Sequence, residues 1–189
     1  MPRIRFPQPE TMDAEQRRVH DKVVAGRRGK IVGPLRAALH SPELADRWQA
    51  LGEFLRYSTS LTPRQSELAI LVTGRACQSP FEWYAHVLEA RKAGIEQPVI
   101  DVLLQQRTPE GLAEDEQLVV AVAQELNRHK SIGDATYAAA LARFGERTLV
   151  ELTALVGYYT MVAMTLNAHE IPLPEGEQPA FELPQKAMP

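Results

Sequence analysis

The sequence predicts an all-α protein, and three observations carry that prediction. Apolar residues recur at i, i+3, i+4 and i+7 in one segment after another; no run alternates with the period of two that a half-buried strand requires; and helix-opening or helix-closing residues bound the periodic segments. At 189 residues, 44% hydrophobic and 24% charged, the chain fits one domain with a substantial core.

Prolines within residues 1–10 predict an extended arm. Asp13 to about Ala25 reads as the first helix, with Val19 and Val23 on one face, and GRRGK at 26–30 as a solvated loop. Gly33-Pro34 opens a short helix to about Leu39, and Ser41-Pro42 opens a longer one with the stripe Leu44, Trp48, Leu51 and Leu55. Thr62, Pro63 and Gln65 form a capping box for a helix that is apolar on every side from Leu68 to Val72, which places it in the interior. Ser79, Pro80 and Glu82 repeat that signature, and Gly94 ends the second helix.

A short helix then runs from Pro98 to about Gln105, followed by the TPEGL turn at 108–112. Glu114 to Arg128 reads as a helix with Leu118, Val122 and Leu126 on its stripe, acidic at its start and basic at its end as the helix dipole favours. Asp134 is the expected N-cap of the next helix, which Gly145 stops. The longest helix spans about Arg147 to Asn167, where Leu149, Leu152, Val156, Tyr159, Ala163 and Leu166 form a coiled-coil-like seam for a neighbouring helix or a second subunit. Beyond His169 recurring prolines predict an irregular tail.

Composition excludes several function classes. A formal net charge of −3 and a pI of about 6.0 argue against a surface built to neutralise phosphates, so no nucleic-acid partner is expected. Cys77 is the single cysteine, which rules out an intrachain disulfide, a cysteine-based zinc site and a CxxC redox pair. The N-terminal residues lack a signal-peptide core and no unbroken run of about 18 apolar residues occurs, so a cytoplasmic protein with no membrane partner is expected. Dinucleotide, P-loop, GxSxG and HExxH motifs are missing, and the histidines at 20, 40, 86, 129 and 169 are too dispersed to propose a metal site.

The usable chemistry lies between Thr62 and Gly94. On the second helix of this hairpin Ser79, Glu82, His86 and Glu89 form one polar stripe beside the apolar Trp83, Val87 and Ala90. If the chain folds back across the turn at 76–78, Glu67 faces Glu82 and His86. Two carboxylates and an imidazole in an apolar setting have pKa values that can be driven apart for general acid and base work. On pattern alone a purely structural reading also stands: Ser79 and Glu82 as caps, Glu67 stabilised near a helix start, and His86 as a satisfied core histidine.

SELAIL at 66–71, FEWYAHVLEARKAGI at 81–95 with PVIDVL following, and GPLRAALHSPELA at 33–45 resemble the carboxymuconolactone decarboxylase family, which shares its helical fold with the alkylhydroperoxidase D proteins. The resemblance covers about 33–167 and implies an all-α, alkylhydroperoxidase D-like multi-helix bundle. It divides the chain into an N-terminal extension and first helix (1–32), a carboxymuconolactone decarboxylase-like helical domain (33–170) and an irregular proline-rich tail (171–189). In the peroxidase branch a glutamate precedes a CxxC pair and a histidine; the glutamate falls on Glu67 and the histidine on His86, but the cysteine positions hold Ser79 and Glu82. A two-cysteine peroxide cycle is therefore not implied, and peroxiredoxin-like activity would fall on Cys77 alone.

The decarboxylase branch implies a lyase that needs no cofactor, acting on a small carboxylated lactone or a related aromatic-degradation intermediate. The implied catalytic residues are Glu67, Glu82 and His86, with His86 as proton donor or oxyanion partner and the glutamates holding its tautomer and shuttling the proton. Arg64 and Arg75 are candidate carboxylate anchors. The resemblance also implies a homo-oligomer, a dimer, trimer or hexamer, and leaves room for a non-catalytic helical oligomer.

Overall fold

The computed structural model describes residues 2–183, so the last six residues of the predicted tail, 184–189, lie outside the described residues. Among the described residues the regular structure is entirely helical: α1 (Ala14–Ala25), α2 (Pro34–Ala38), α3 (Pro42–Tyr57), α4 (Pro63–Ala76), α5 (Pro80–Lys92), α6 (Gln97–Leu104), α7 (Glu114–His129) and α8 (Asp134–Ala168). The all-α expectation and the order of its elements are thus met.

The apolar girth of α4 decides the architecture. Leu68, Ala69, Ile70 and Leu71 are each 0–1% exposed, which requires neighbours on all sides, and α5, α6, α7 and α8 supply them. Around this centre α8 also packs on α5 and α7, while α1 and α2 lie against α3, which closes onto α8. Val19 and Val23 of α1 join the same core. The N-terminal arm is tied to its own chain, Arg3 N–H donating to the His169 carbonyl (2.9 Å) and the His40 ring nitrogen meeting the Arg5 carbonyl (2.7 Å). The tail returns across the α4–α5 end, where Phe181 stands edge-on to Trp83 (6.4 Å) beneath the Arg75 guanidinium (4.3 Å).

Several expected faces are rotated. In α3 Trp48 and Leu55 face the core as expected, but Leu44 and Leu51 point outward, and Ala45 and Gly52 are buried instead. In α7 the buried set is Val119, Val120, Val122 and Ala123, with Leu118 and Leu126 only half-buried. Period counting weighs large residues, whereas close helix approach here selects small and β-branched ones. Asp134 is the first residue of α8, not its cap, because Gly133 takes the extended N-cap backbone. Gly145 does interrupt the helix, at φ 75° and ψ 171°.

The seam of α8 is internal. Leu149, Leu152, Val156, Tyr159, Ala163 and Leu166 are all buried within the single chain, so they meet neighbouring helices and offer nothing to a second subunit. By length and composition α8 is also long and apolar enough to cross a membrane, which the criterion of unbroken apolar runs did not register, but 56% of that window is buried inside the bundle.

Gly52 carries the tightest helix contact. A Cβ there would stand 2.1 Å from the Tyr158 hydroxyl and 2.4 Å from an Arg28 terminal nitrogen, so α3 and α8 approach only because position 52 has no side chain. Gly52→Ala gains about 1 kcal/mol of helix propensity but forces the buried Tyr158 ring aside, at a cost of about 1–3 kcal/mol. Net destabilisation is expected, read as a lowered urea midpoint for Gly52→Ala that partly recovers in Gly52→Ala/Tyr158→Phe; an unchanged midpoint in the single variant would refute the packing argument.

Candidate active site

Two capped helices and one tight turn build the site. Thr62 and Gln65 cap α4 reciprocally, as the sequence predicts, and this puts Glu67 beyond the first turn, where the dipole explanation for a glutamate no longer applies. At the other end Gln78 adopts a left-handed backbone (φ 50°), and the Cys77 and Ser79 amides donate to the Thr73 and Gly74 carbonyls at 2.8 and 3.0 Å. The chain reverses there, so α5 runs back along α4 and returns His86 to the level of Glu67.

The predicted second capping box does not form. Ser79 makes no side-chain cap bond to α5, and its buried hydroxyl has no partner among the described residues. Glu82 turns inward instead, one helical turn before His86 on the same face. The structural reading of Glu82 as a cap is therefore overturned by its side-chain direction.

His86 lies between the two carboxylates. Its Nδ1 is 2.7 Å from Glu67 Oε2 and its Nε2 is 3.1 Å from Glu82 Oε1. The side chains are 6% (His86), 12% (Glu67) and 5% (Glu82) exposed. A neutral imidazole has one N–H, so carboxylates at both ring nitrogens favour the doubly protonated ring. Burial works against that charge, but Glu67 and Glu82 outweigh it and raise the pKa from the usual 6.5 to about 9. The imidazole is thus a proton reservoir at neutral pH.

Two residues that sequence reasoning did not assign to the site adjoin it. Tyr159, read as part of the seam, stands edge-on to the His86 ring at 4.9 Å, and its hydroxyl is pushed well above the ordinary tyrosine range by burial, with Glu82 and Glu67 acting in the same direction. Arg56, near the end of α3, is half-buried; burial opposes its charge, but Tyr159, Tyr57, Glu67 and Glu89 favour it and raise its pKa. The carboxylates of the hairpin were the available signal for such a cation, but its helix could not be chosen from spacing.

The expected anchors lie elsewhere. Arg64 pairs with Glu116 at 2.6 Å and Glu96 at 2.9 Å and donates to the Gly94 carbonyl. Arg75 donates its Nε to the Leu104 carbonyl at 2.8 Å. Cys77 is half-buried, its Sγ 3.8 Å from the Asn127 amide oxygen and 4.0 Å from the Thr160 hydroxyl, and burial raises its pKa. None of these three side chains joins the Glu67–His86–Glu82 array.

Residues 42–125 match the carboxymuconolactone decarboxylase family. No curated protein is significantly similar in sequence. Among solved structures the fold is similar to an alkylhydroperoxidase AhpD core, an uncharacterized peroxidase-related protein from Ralstonia eutropha JMP134, with TM-score 0.77 and 14% identity over 92% of this chain and 93% of that one. A protein of unknown function from Agrobacterium tumefaciens superposes with TM-score 0.67 and 19% identity, covering 76% of this chain and 99% of its own. A cysteine-to-alanine variant of the debrominase Bmp8, in complex with 2,3,4-tribromopyrrole, gives TM-score 0.70 and 11% identity over 87% and 88% of the two chains. At these identities the likeness establishes the alkylhydroperoxidase D-type fold alone.

The raised pKa of His86 ties stability to pH. Below pH 6.5 both folded and unfolded chains hold the proton; between 6.5 and about 9 only the folded chain does, so the imidazolium's stabilising contribution fades as pH rises through that window. The full loss is on the order of 3 kcal/mol. Urea midpoints measured from pH 6 to 10 should fall more steeply for the wild type than for His86→Gln, and parallel curves would remove the buried imidazolium.

Proposed function

We propose that this chain, whose residues 42–125 match the carboxymuconolactone decarboxylase family, is a cytoplasmic, cofactor-free lyase acting on a small carboxylated lactone or a related aromatic-degradation intermediate. The observation that carries this reading is the buried Glu67–His86–Glu82 array, in which a carboxylate at each ring nitrogen favours the protonated imidazole. A decarboxylation needs a proton at carbon after CO2 leaves, and this array stores one.

In the proposed reaction the bond from the substrate carbon to its carboxylate carbon breaks. The electron pair passes into the conjugated lactone carbonyl, and the resulting enolate takes a proton at carbon. Glu67 keeps the largest exposed share of the three side chains and is the group that meets the substrate, relaying the proton that His86 supplies. Glu82 fixes the opposite ring nitrogen, and Arg56 supplies positive charge opposite the developing enolate.

Peroxide reduction at Cys77, the alternative reading, finds less support. Burial raises the thiol pKa and no second cysteine resolves a sulfenic acid. A homo-oligomer also remains our proposal, supported now by the outer face of α8, where Val150 is 67% and Met164 63% exposed, in place of the internal seam. Light scattering should give a multiple of 21.1 kDa, and the monomer mass at micromolar concentration would refute it.

A turnover panel of carboxylated lactones and hydroperoxides tests the reaction. Lactone turnover should fall about 100- to 10,000-fold in His86→Gln, drop in kcat in Arg56→Met, and persist in Cys77→Ser. Hydroperoxide turnover that survives His86→Gln and vanishes in Cys77→Ser would replace the lyase by a one-cysteine peroxidase.

A further inference from the structure

At the opposite end of α4 from Glu67, the C-terminal ends of α4, α6 and α7 surround a cavity of about 210 Å³. Arg75, Arg107 and Arg128 line it together with the amides of Gln106, Gln124 and Asn127, and no aspartate or glutamate does. No ion pair to a carboxylate is formed by any of these arginines among the described residues. Positive charge is therefore concentrated, unneutralised, around one concave site in a chain whose net charge is −3.

Helix dipoles account for part of this pattern only. Arg75 and Arg128 occupy the last turns of α4 and α7, where a cation is favoured. Dipole complementation is satisfied by cations pointing anywhere near a helix end and does not gather three of them, one from the segment after α6, around one cavity. Two of the guanidiniums are also anchored without being neutralised: Arg75 Nε donates to the Leu104 carbonyl at 2.8 Å, and Arg107 donates twice to the Gln105 amide oxygen at 3.0 and 2.7 Å. Anchored guanidiniums lose less freedom when a ligand arrives.

We infer that this cavity binds a small oxyanion carrying at least two negative charges, through carboxylate or phosphate oxygens that accept from the guanidinium groups. The size excludes a nucleotide-sized ligand and suits a phosphate group or a short polycarboxylate. The site is separate from the proposed catalytic array: Arg75 lies eight residues beyond Glu67, about 12 Å of helix rise, and Glu67, Glu82 and His86 do not line the cavity. Its occupation is independent of the reaction proposed above, and its test needs no turnover.

Calorimetric titration of the full chain with inorganic phosphate, citrate and the uncharged triamide of citrate, at low and moderate salt, decides the matter. Saturable binding of phosphate or citrate, weakened by salt, with none of the triamide, is expected, and whichever anion binds identifies its class. The double variant Arg107→Gln/Arg128→Gln alters exposed side chains, so its circular dichroism should match the wild type while its affinity falls at least tenfold. Absence of saturable binding by both anions at millimolar concentration, or affinity unchanged in the double variant, overturns the inference.

Discussion

The fold depends on a buried charge cluster that it must keep in register. An imidazolium between two carboxylates takes charged groups out of water, a cost repaid only if the distances to both partners stay short. The contacts at 2.7 and 3.1 Å meet that condition, and they arise from two different geometries. Glu82 and His86 are one turn apart on α5, so their pairing is local. Glu67 reaches His86 only if α5 folds back along α4 without slipping, and the left-handed Gln78 and the carbonyl-capped turn fix that register.

The cluster carries one more carboxylate than it has cations, and its surroundings are arranged around that excess. Arg56 places positive charge near Glu67 and Tyr159 from a third helix, and Glu67 is the more exposed of the two glutamates, at 12% against 5%. Tyr159 stands edge-on to the ring and ties the cluster to α8. The Ser79 backbone N–H, which a capping-box glutamate would accept from, donates to the Gly74 carbonyl at 3.0 Å instead, so the Glu82 side chain is released to serve His86. Stability and the proposed catalysis thus draw on the same interaction.

Charge is also sorted along α4. Its N-terminal half presents a carboxylate to the buried array, while its C-terminal end presents Arg75 to the cationic cavity, with an apolar barrel of Leu68 to Leu71 between them. Acidic and basic chemistry are separated by about 12 Å of helix rise, a distance that prevents direct pairing between Glu67 and Arg75.

Local signals in the sequence determined the helices, the Thr62 capping box, the break at Gly145 and the interior course of α4, because each rests on residues within a few positions of one another. The 3.6-residue period likewise put Glu82 and His86 on one face of α5 together with Ser79. What the sequence left open was whether Glu82 caps its helix or faces His86, since both orientations share one backbone, and tertiary packing chose the second. Facing positions were decided the same way: Leu44 and Leu51 yield the α3 interface to Ala45 and Gly52 because α8 brings Tyr158 against position 52. Arg56 and Tyr159 enter the site from α3 and α8, elements that periodicity could place only individually, and the seam of α8 turned inward because α4, α5 and α7 were there to receive it. Short-range backbone and capping energetics are written in neighbouring residues, whereas the choice among apolar faces and the company of a buried charge depend on which helices arrive beside it.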